Sequence, residues 1–250
     1  MSVYAVNGKE PVAAWIPSLD TAGNGTTTLT DLVGSNDGTL TNMVAGSDWV
    51  ANTDNGGVRA LDFDGSNDNI SIPDQSSHKP AAITVSVWAI RRTTAPGEIV
   101  FKQNTRTGSF EAYAILANSG NFQFVVSNAA GTQAIITQSA SADVWTHLAL
   151  TFDQPTMKGY VNGSLVGTLT HDHPIDYGTN PLSIGRSTQS PFFFPFDGLV
   201  DDVRIWDSAL DSSDISYLYD SGTGRGIVAP TGAPAQNAQH NNLRNIRMAP

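Results

Sequence analysis

Residues 145–187 read WTHLALTFDQPTMKGYVNGSLVGTLTHDHPIDYGTNPLSIGRS and lead, through PFDGLVDDVRIWDSAL at 195–210, to SSDISYLY at 212–219. Leu148, Leu150 and Phe152 recur every second residue, the period of a strand with one buried face. Gln154-Pro155 interrupts that run, and a second strand ends at Tyr160 and Val161. Asn162-Gly163 follows between β-type residues. This is the strongest short hairpin signal, because a type I′ turn needs positive φ at both central positions. Residues 165–169 are then the return strand, 182–186 and 199–206 supply further strands, and a short helix after Ala209-Leu210 closes the stretch.

Working outward, strands are predicted at 12–16, 58–63, 69–72, 83–90, 98–102, 112–117, 122–127 and 134–138. The first pairs with the last at 199–206. Gly120-Asn121 is expected to be a tight turn, and 21–30 a Gly/Thr-rich loop. The chain has 250 residues with 23 glycines and 13 prolines, a supply of turn formers that suits many short strands. One large all-β sandwich accommodates this length without a second domain. No cysteine is present, so core burial rather than disulfides must hold the fold. No run approaches the roughly 20 apolar residues of a membrane span. The N-terminus lacks the basic start and apolar run of an export signal, so export by that route is not expected.

The formal charge is −10, with only four lysines. A polyanion would be repelled, which argues against nucleic acid and heparin-like ligands. After Asp220 the character of the chain changes: residues 221–250 hold Arg225, Arg244 and Arg247 and no acid, leaving −13 on the remainder. Three regions follow: an N-terminal extension (1–11), a sandwich (12–221) and a basic tail (222–250). The tail has too little apolar surface to fold alone. It is either a free terminus or is held by an acidic neighbouring subunit.

The order W-x-H-x-A-x-T-x-D, Y-V-N-G, L-x-I-G-R, F-x-G-x-x-D-D-V-R-I-W and a short helix resembles the laminin-G-like, concanavalin A-like jelly-roll family. ALDFDGSNDNISIP (60–73), ITVSVWAI (83–90) and DLVGSNDGTL (31–40) fit the same pattern, so the resemblance spans about 12–219. It implies an antiparallel two-sheet β-sandwich with one short C-terminal helix. It also implies a structural calcium ion held by Asp201, with the Gly65 carbonyl as co-ligand. Counting by twos, Asp201 shares a face with Leu199, Val203 and Ile205, a setting in which a carboxylate needs a counter-ion or donors. Function does not follow from the resemblance, since one fold hosts many activities.

Candidate chemistry is sparse. Retaining glycosidases on such sandwiches set paired carboxylates at alternate positions of one strand, about 5 Å apart. The three glutamates, Glu10, Glu98 and Glu111, have no acidic residue two or four positions away. No cysteine nucleophile and no G-x-S-x-G elbow exists. His171 and His173 share a strand face, but Pro174 follows and no third zinc ligand is evident, so a solvated hairpin end is the plainer reading. His147 reads as a sheet-face or core histidine. The Asp-rich turns lack EF-hand spacing and read as Asx-turns. Residues 190–196, SPFFFPF, depart from the family pattern. Phe192, Phe193 and Phe194 cannot all point inward, which makes them either a plug or an apolar anchor for a partner.

The expectation is a non-enzymatic structural and interaction protein. It is most consistent with a phage virion component, a capsid decoration or tail-associated subunit, contacting neighbours through Phe192, Phe193, Phe194, Arg225, Arg244 and Arg247. The alternative is a carbohydrate-binding, lectin-like adhesion module found outside cells or at their surface. Neither reading requires nucleic acid, membrane or any cofactor besides that calcium.

Overall fold

The computed structural model describes residues 4–51, 59–104, 111–187 and 193–219. In chain order the strands are β1 (Ala13–Trp15), β2 (Thr28–Leu29), β3 (Gly38–Thr41), β4 (Trp49–Ala51), β5 (Arg59–Asp64), β6 (Asn69–Ile72), β7 (Ile83–Arg91) and β8 (Gly97–Gln103). They continue with β9 (Glu111–Asn118), β10 (Asn121–Ser127), β11 (Gln133–Ser139), β12 (Thr146–Asp153), β13 (Thr156–Val161), β14 (Ser164–Thr170), β15 (Leu182–Ile184) and β16 (Asp197–Trp206). Helix α1 (Ser212–Tyr219) follows.

Every pairing is antiparallel, and the strands form two sheets. The first runs β14-β13-β12-β7-β16-β5-β4, with β1 also paired to β16; the second runs β11-β10-β9-β8-β15-β6-β3-β2. This is the jelly-roll sandwich that the alternating pattern predicts, and β1 meets the last strand as expected. Leu148, Leu150 and Phe152 of the first sheet and Ile115, Phe122 and Phe124 of the second share one core. Asn162 and Gly163 sit at φ 50° and 75°, the conformation that the hairpin signal demands. The other tight turn falls on Ser119-Gly120, one residue earlier than expected, with both residues at positive φ. The short strands β2, β3 and β4 went unread because two to four residues carry too little periodicity to register.

The outer side of the first sheet is covered. Val6 and the α1 residues Ile215 and Leu218 pack there against Tyr160 and Trp206. Asp214 fixes this cover, taking hydrogen bonds from Lys9 and from Asn7 Nδ2 (2.9 Å). Trp206 Nε1 donates to the Lys9 carbonyl at 3.2 Å. The N-terminal extension thus lies along the sandwich.

The structure corrects the face assigned to Asp201. The β16–β7 register shifts between Asp201 and Arg204, and Asp202 takes a left-handed φ of 54°. That bulge reverses the alternation, so Val200, Val203 and Ile205 join the core, whereas Asp201 pairs across from Trp88 on the outer side.

Candidate binding surface

Two β-bulges build the most distinctive surface of the molecule. On β8, Glu98 pairs with Leu116 and Val100 with Ile115, leaving Ile99 as the extra residue. Ile99 and Val100 both enter the core, so Glu98 turns outward with Leu116. At the other end of the same ladder Lys102 pairs with Tyr113 and Gln103 with Glu111, which makes Ala112 the extra residue. Ala112 and Tyr113 face the core, and Glu111 turns to the outer side. Strict alternation would have put Glu98 in phase with the core residue Val100. The bulges instead present two carboxylates on one face from neighbouring strands.

Between them lies a buried apolar cluster of Phe101, Ala114 and Val125, with the half-buried Leu116 beside it. These residues are cross-strand partners, Phe101 with Ala114 and Ala114 with Val125. The row continues to Ile135 on the edge strand β11, which is 40% exposed. Amides ring this cluster. Gln133 Nε2 donates to Glu111 Oε2 at 2.6 Å, and Ser187 Oγ donates to Gln103 Oε1 at 2.8 Å. Ser187 N–H also donates to Glu98. The face is closed over Glu98, Gln103, Phe101, Ala114 and Val125 and opens at Leu116, Gln123, Gln133, Glu111 and Ile135.

Burial dominates the electrostatics of Glu98. It pushes the carboxyl up to about 7, helped by the nearby Glu111 charge and opposed by the Ser187 amide and by Arg186. Near neutral pH this carboxyl therefore exchanges a proton, whereas an ordinary glutamate is already ionised.

The aromatic loop borders this surface. Glu98 N–H donates to the Phe194 carbonyl at 2.9 Å, and the Arg186 guanidinium lies 4.4 Å from the Phe193 ring centroid, a cation–π contact. Phe193 and Phe194 are 39% and 41% exposed, so the expectation that the run cannot all turn inward holds for these two. Phe196, by contrast, is core. Phe192 lies outside the described residues, as do Arg225, Arg244 and Arg247.

Asp201 and Gly65 are not brought together. Asp64, the neighbour of Gly65, pairs with Asp197, and Gly65 N–H bonds to the Phe196 carbonyl. Asp201 stands four residues further along β16, about 13 Å at the rise of a strand. As a pair they do not fit one ion. Among the groups that gather at Asp201 are the Ser18 hydroxyl, 2.8 Å from Oδ2 and 2.8 Å from the Arg59 carbonyl, and the Asp202 amide at 2.8 Å. The neighbouring Asp202 holds the buried Arg204 through two bonds of 2.5 and 2.7 Å.

His147 is buried, with Nε2 2.8 Å from Ser86 Oγ, and burial lowers its pKa to about 3. It is a neutral sheet-face histidine, as read. His171 and His173 have ring centroids 6.5 Å apart. Among the described residues no group of three or more His, Cys, Asp or Glu could hold a metal ion. The Asp64 turn is an Asx-turn, with Ser66 N–H donating to its carboxylate at 2.8 Å. Among the described residues no helix is long and apolar enough to cross a membrane.

Residues 64–216 match the model of the concanavalin A-like lectin/glucanases superfamily, and the chain belongs to that family. Solved structures share its fold. The binding domain of Paraclostridial Mosquitocidal Protein 1 is 16% identical, with a TM-score of 0.67 over 88% of this chain and 53% of that one. The ligand binding domain of botulinum neurotoxin serotype D, in complex with N-acetylneuraminic acid, is 14% identical, with a TM-score of 0.64 over 88% and 53%. The present chain thus spans about half the length of those toxin domains. Domain 4 of AbnA, a GH43 extracellular arabinanase from Geobacillus stearothermophilus, in complex with arabinotriose, is 20% identical, with a TM-score of 0.63 over 84% of this chain and 98% of that one. A comparison with curated proteins gives no match.

Proposed function

We propose that this chain is a non-catalytic binding module whose outer second sheet seats a neutral saccharide. The observation that carries the reading is the open part of that face, where a bulge turns Glu111 outward, bonded to the Gln133 amide, beside Gln123, Leu116 and the exposed Ile135. A carboxylate and amides match the paired hydroxyls of a sugar, and the Leu116 and Ile135 side chains match its C–H faces. The ligand of the arabinanase domain, arabinotriose, is of this chemical class. An acidic sugar suits the surface less well, because Glu111 and the acidic body repel it. Glycoside hydrolysis needs an acid and a second carboxylate that both reach the sugar. Glu98 is sealed from solvent, and of the pair only Glu111 borders the open part.

The test is a panel of neutral and acidic oligosaccharides, titrated against the chain and against Glu111→Ala and Gln133→Ala. Saturable binding of a neutral oligosaccharide that weakens at least about tenfold in each variant supports the reading, at about 1.4 kcal/mol per decade. Binding indifferent to both substitutions sinks it.

A second reading, a subunit of a virion or other large assembly, is favoured by one observation: Phe193 and Phe194 are exposed side by side at the rim of the sheet. Phe192, Arg225, Arg244 and Arg247 would extend that contact. Structural calcium at Asp201 has its own check. A calcium-dependent rise in melting temperature that disappears in Asp201→Asn supports it, and an unchanged melt removes it.

A further inference from the structure

β9, β10 and β11 are neighbours in the second sheet, and residues 112–142 contain no Asp, Glu, Lys or Arg. The chain as a whole has a formal charge of −10, and a strand face that meets only water ordinarily carries charged side chains. Ile115 and Ala117, Phe122 and Phe124, and Ala134 and Ile136 face the core. Alternation therefore turns Asn118, Asn121, Gln123, Ile135, Thr137 and Ser139 outward. Thr137 and Ser139 are exposed, and the three amides are half-buried.

The register places these polar groups in rows across the strands. Gln123 stands opposite both Leu116 and Thr137, and Asn121 opposite both Asn118 and Ser139. Side chains join the rows: Ser119 Oγ donates to Asn118 Oδ1 at 3.0 Å, Asn118 Nδ2 to Gln123 Oε1 at 3.2 Å, and Gln123 Nε2 to Thr137 Oγ1 at 3.4 Å. The last two bonds are long and readily exchanged. Each amide NH2 spends one of its two protons on a neighbour, and the Thr137 hydroxyl has its own proton to give. Oriented donors and acceptors of this kind suit the hydroxyls of a ligand without charge. Ile135 separates them from Glu111 and Gln133. Along β11 the four steps from Gln133 to Thr137 cover about 13 Å, against about 5 Å between neighbouring strands. A single sugar ring is about as broad as one strand spacing, so it reaches one of the two polar patches and not the other.

We propose that Asn118, Gln123 and Thr137 form a second subsite and that the ligand is a linear neutral oligosaccharide lying along β11, across Ile135, from this subsite to Glu111 and Gln133; the inference rests on the saccharide reading above. The uncharged strands select a neutral chain, and the separation of the two patches selects one of several units. A peptide suits the surface less well, because protein contacts centre on aromatic or arginine anchors and none of the outward residues is either.

Calorimetric titration with neutral oligosaccharides of one to six units, in arabinose, xylose and glucose series, tests this on the full chain and on Asn118→Ala, Thr137→Val and Glu111→Ala. In the series that binds, affinity should climb at least about tenfold from the shortest bound member to the longest, because the second contact forms within a molecule already held. Asn118→Ala and Thr137→Val should each cut that gain to less than about threefold, whereas Glu111→Ala weakens short and long members alike. Thermal melts check that the variants fold. On the unaltered, isotope-labelled chain, the side-chain NH2 signals of Asn118 and Gln123 should shift with the longest member and stay in place with the shortest. Binding that depends on Glu111 but not on chain length overturns the second subsite and leaves the saccharide reading standing. So does a gain that survives both substitutions, or Asn118 and Gln123 signals indifferent to the longest member. Absence of binding in every series overturns both readings.

Discussion

Glu98 is the residue whose surroundings most alter its chemistry. Its carboxyl in the fold titrates at about 7 against 4.5 for an ordinary glutamate, so the folded chain binds the proton more tightly than the unfolded one. The Glu98 contribution is therefore fully present below about pH 4.5 and is lost as pH rises through about 7. Integrated over that window the loss is about 3 kcal/mol as an order of magnitude. Urea denaturation of the chain should show a midpoint that declines from pH 5 to 7.5, and Glu98→Gln should flatten that decline. A midpoint equally steep in the variant would assign the slope to other groups. The Asp202–Arg204 pair gives a second prediction at this scale. Arg204 is fully buried and bonded to the Asp202 carboxylate as well as to the Tyr4 carbonyl, so Asp202→Ala removes a carboxylate from a buried charge and should cost about 3 kcal/mol. Equilibrium unfolding measures this directly, and a loss below about 1 kcal/mol would show that the charge finds water.

At the scale of elements, turns and bulges decide what the strands present. Gly185 ends β15 at φ 86°, where an added Cβ would meet the Phe63 ring at 2.0 Å. Gly185→Ala should therefore lower the melting temperature sharply, by an amount corresponding to at least about 2 kcal/mol, because both backbone and ring must shift. Thermal unfolding checks it, and a near-neutral result would mean that the ring yields. The aromatic loop behaves in the opposite way. Phe193 and Phe194 are exposed, so Phe193→Ser/Phe194→Ser should change stability by less than about 1 kcal/mol while weakening any assembly that uses them. Sedimentation or pull-down of larger particles reads the second effect, and an unfolded double variant would instead make the loop a plug. Strands of six or more residues were legible in the sequence because alternation repeats within them. The bulges at Ile99 and Ala112 were not, since each is one extra residue whose presence depends on its partner strand. The same blindness put Asp201 on the core face, one bulge away from its position beside Trp88.

For the whole molecule, charge and edges set how it meets other molecules. The acidic body should leave binding of a neutral saccharide almost indifferent to ionic strength, within about twofold between 50 and 500 mM salt. Contacts through Arg225, Arg244 and Arg247 should weaken over the same range. Titration at two salt concentrations separates the two modes, and a steep salt dependence of saccharide affinity would count against hydrogen bonding on the second sheet.

The sequence by itself determined the sandwich, most of its longer strands, the Asn162-Gly163 hairpin and the closing helix. Each is written in short-range signals, the period-2 alternation and the turn residues, that act within a few positions. Only the tertiary structure decided which residues share the binding surface. Glu98 and Glu111 are thirteen positions apart with no spacing that links them, and they meet one face because one ladder slips by a residue at two places. It also decided that Gly65 and Asp201 stand apart, and that Val6 and α1 cover the outer side of the first sheet. Such facts depend on which strands become neighbours, and pairing between distant segments is set by core packing rather than by local pattern.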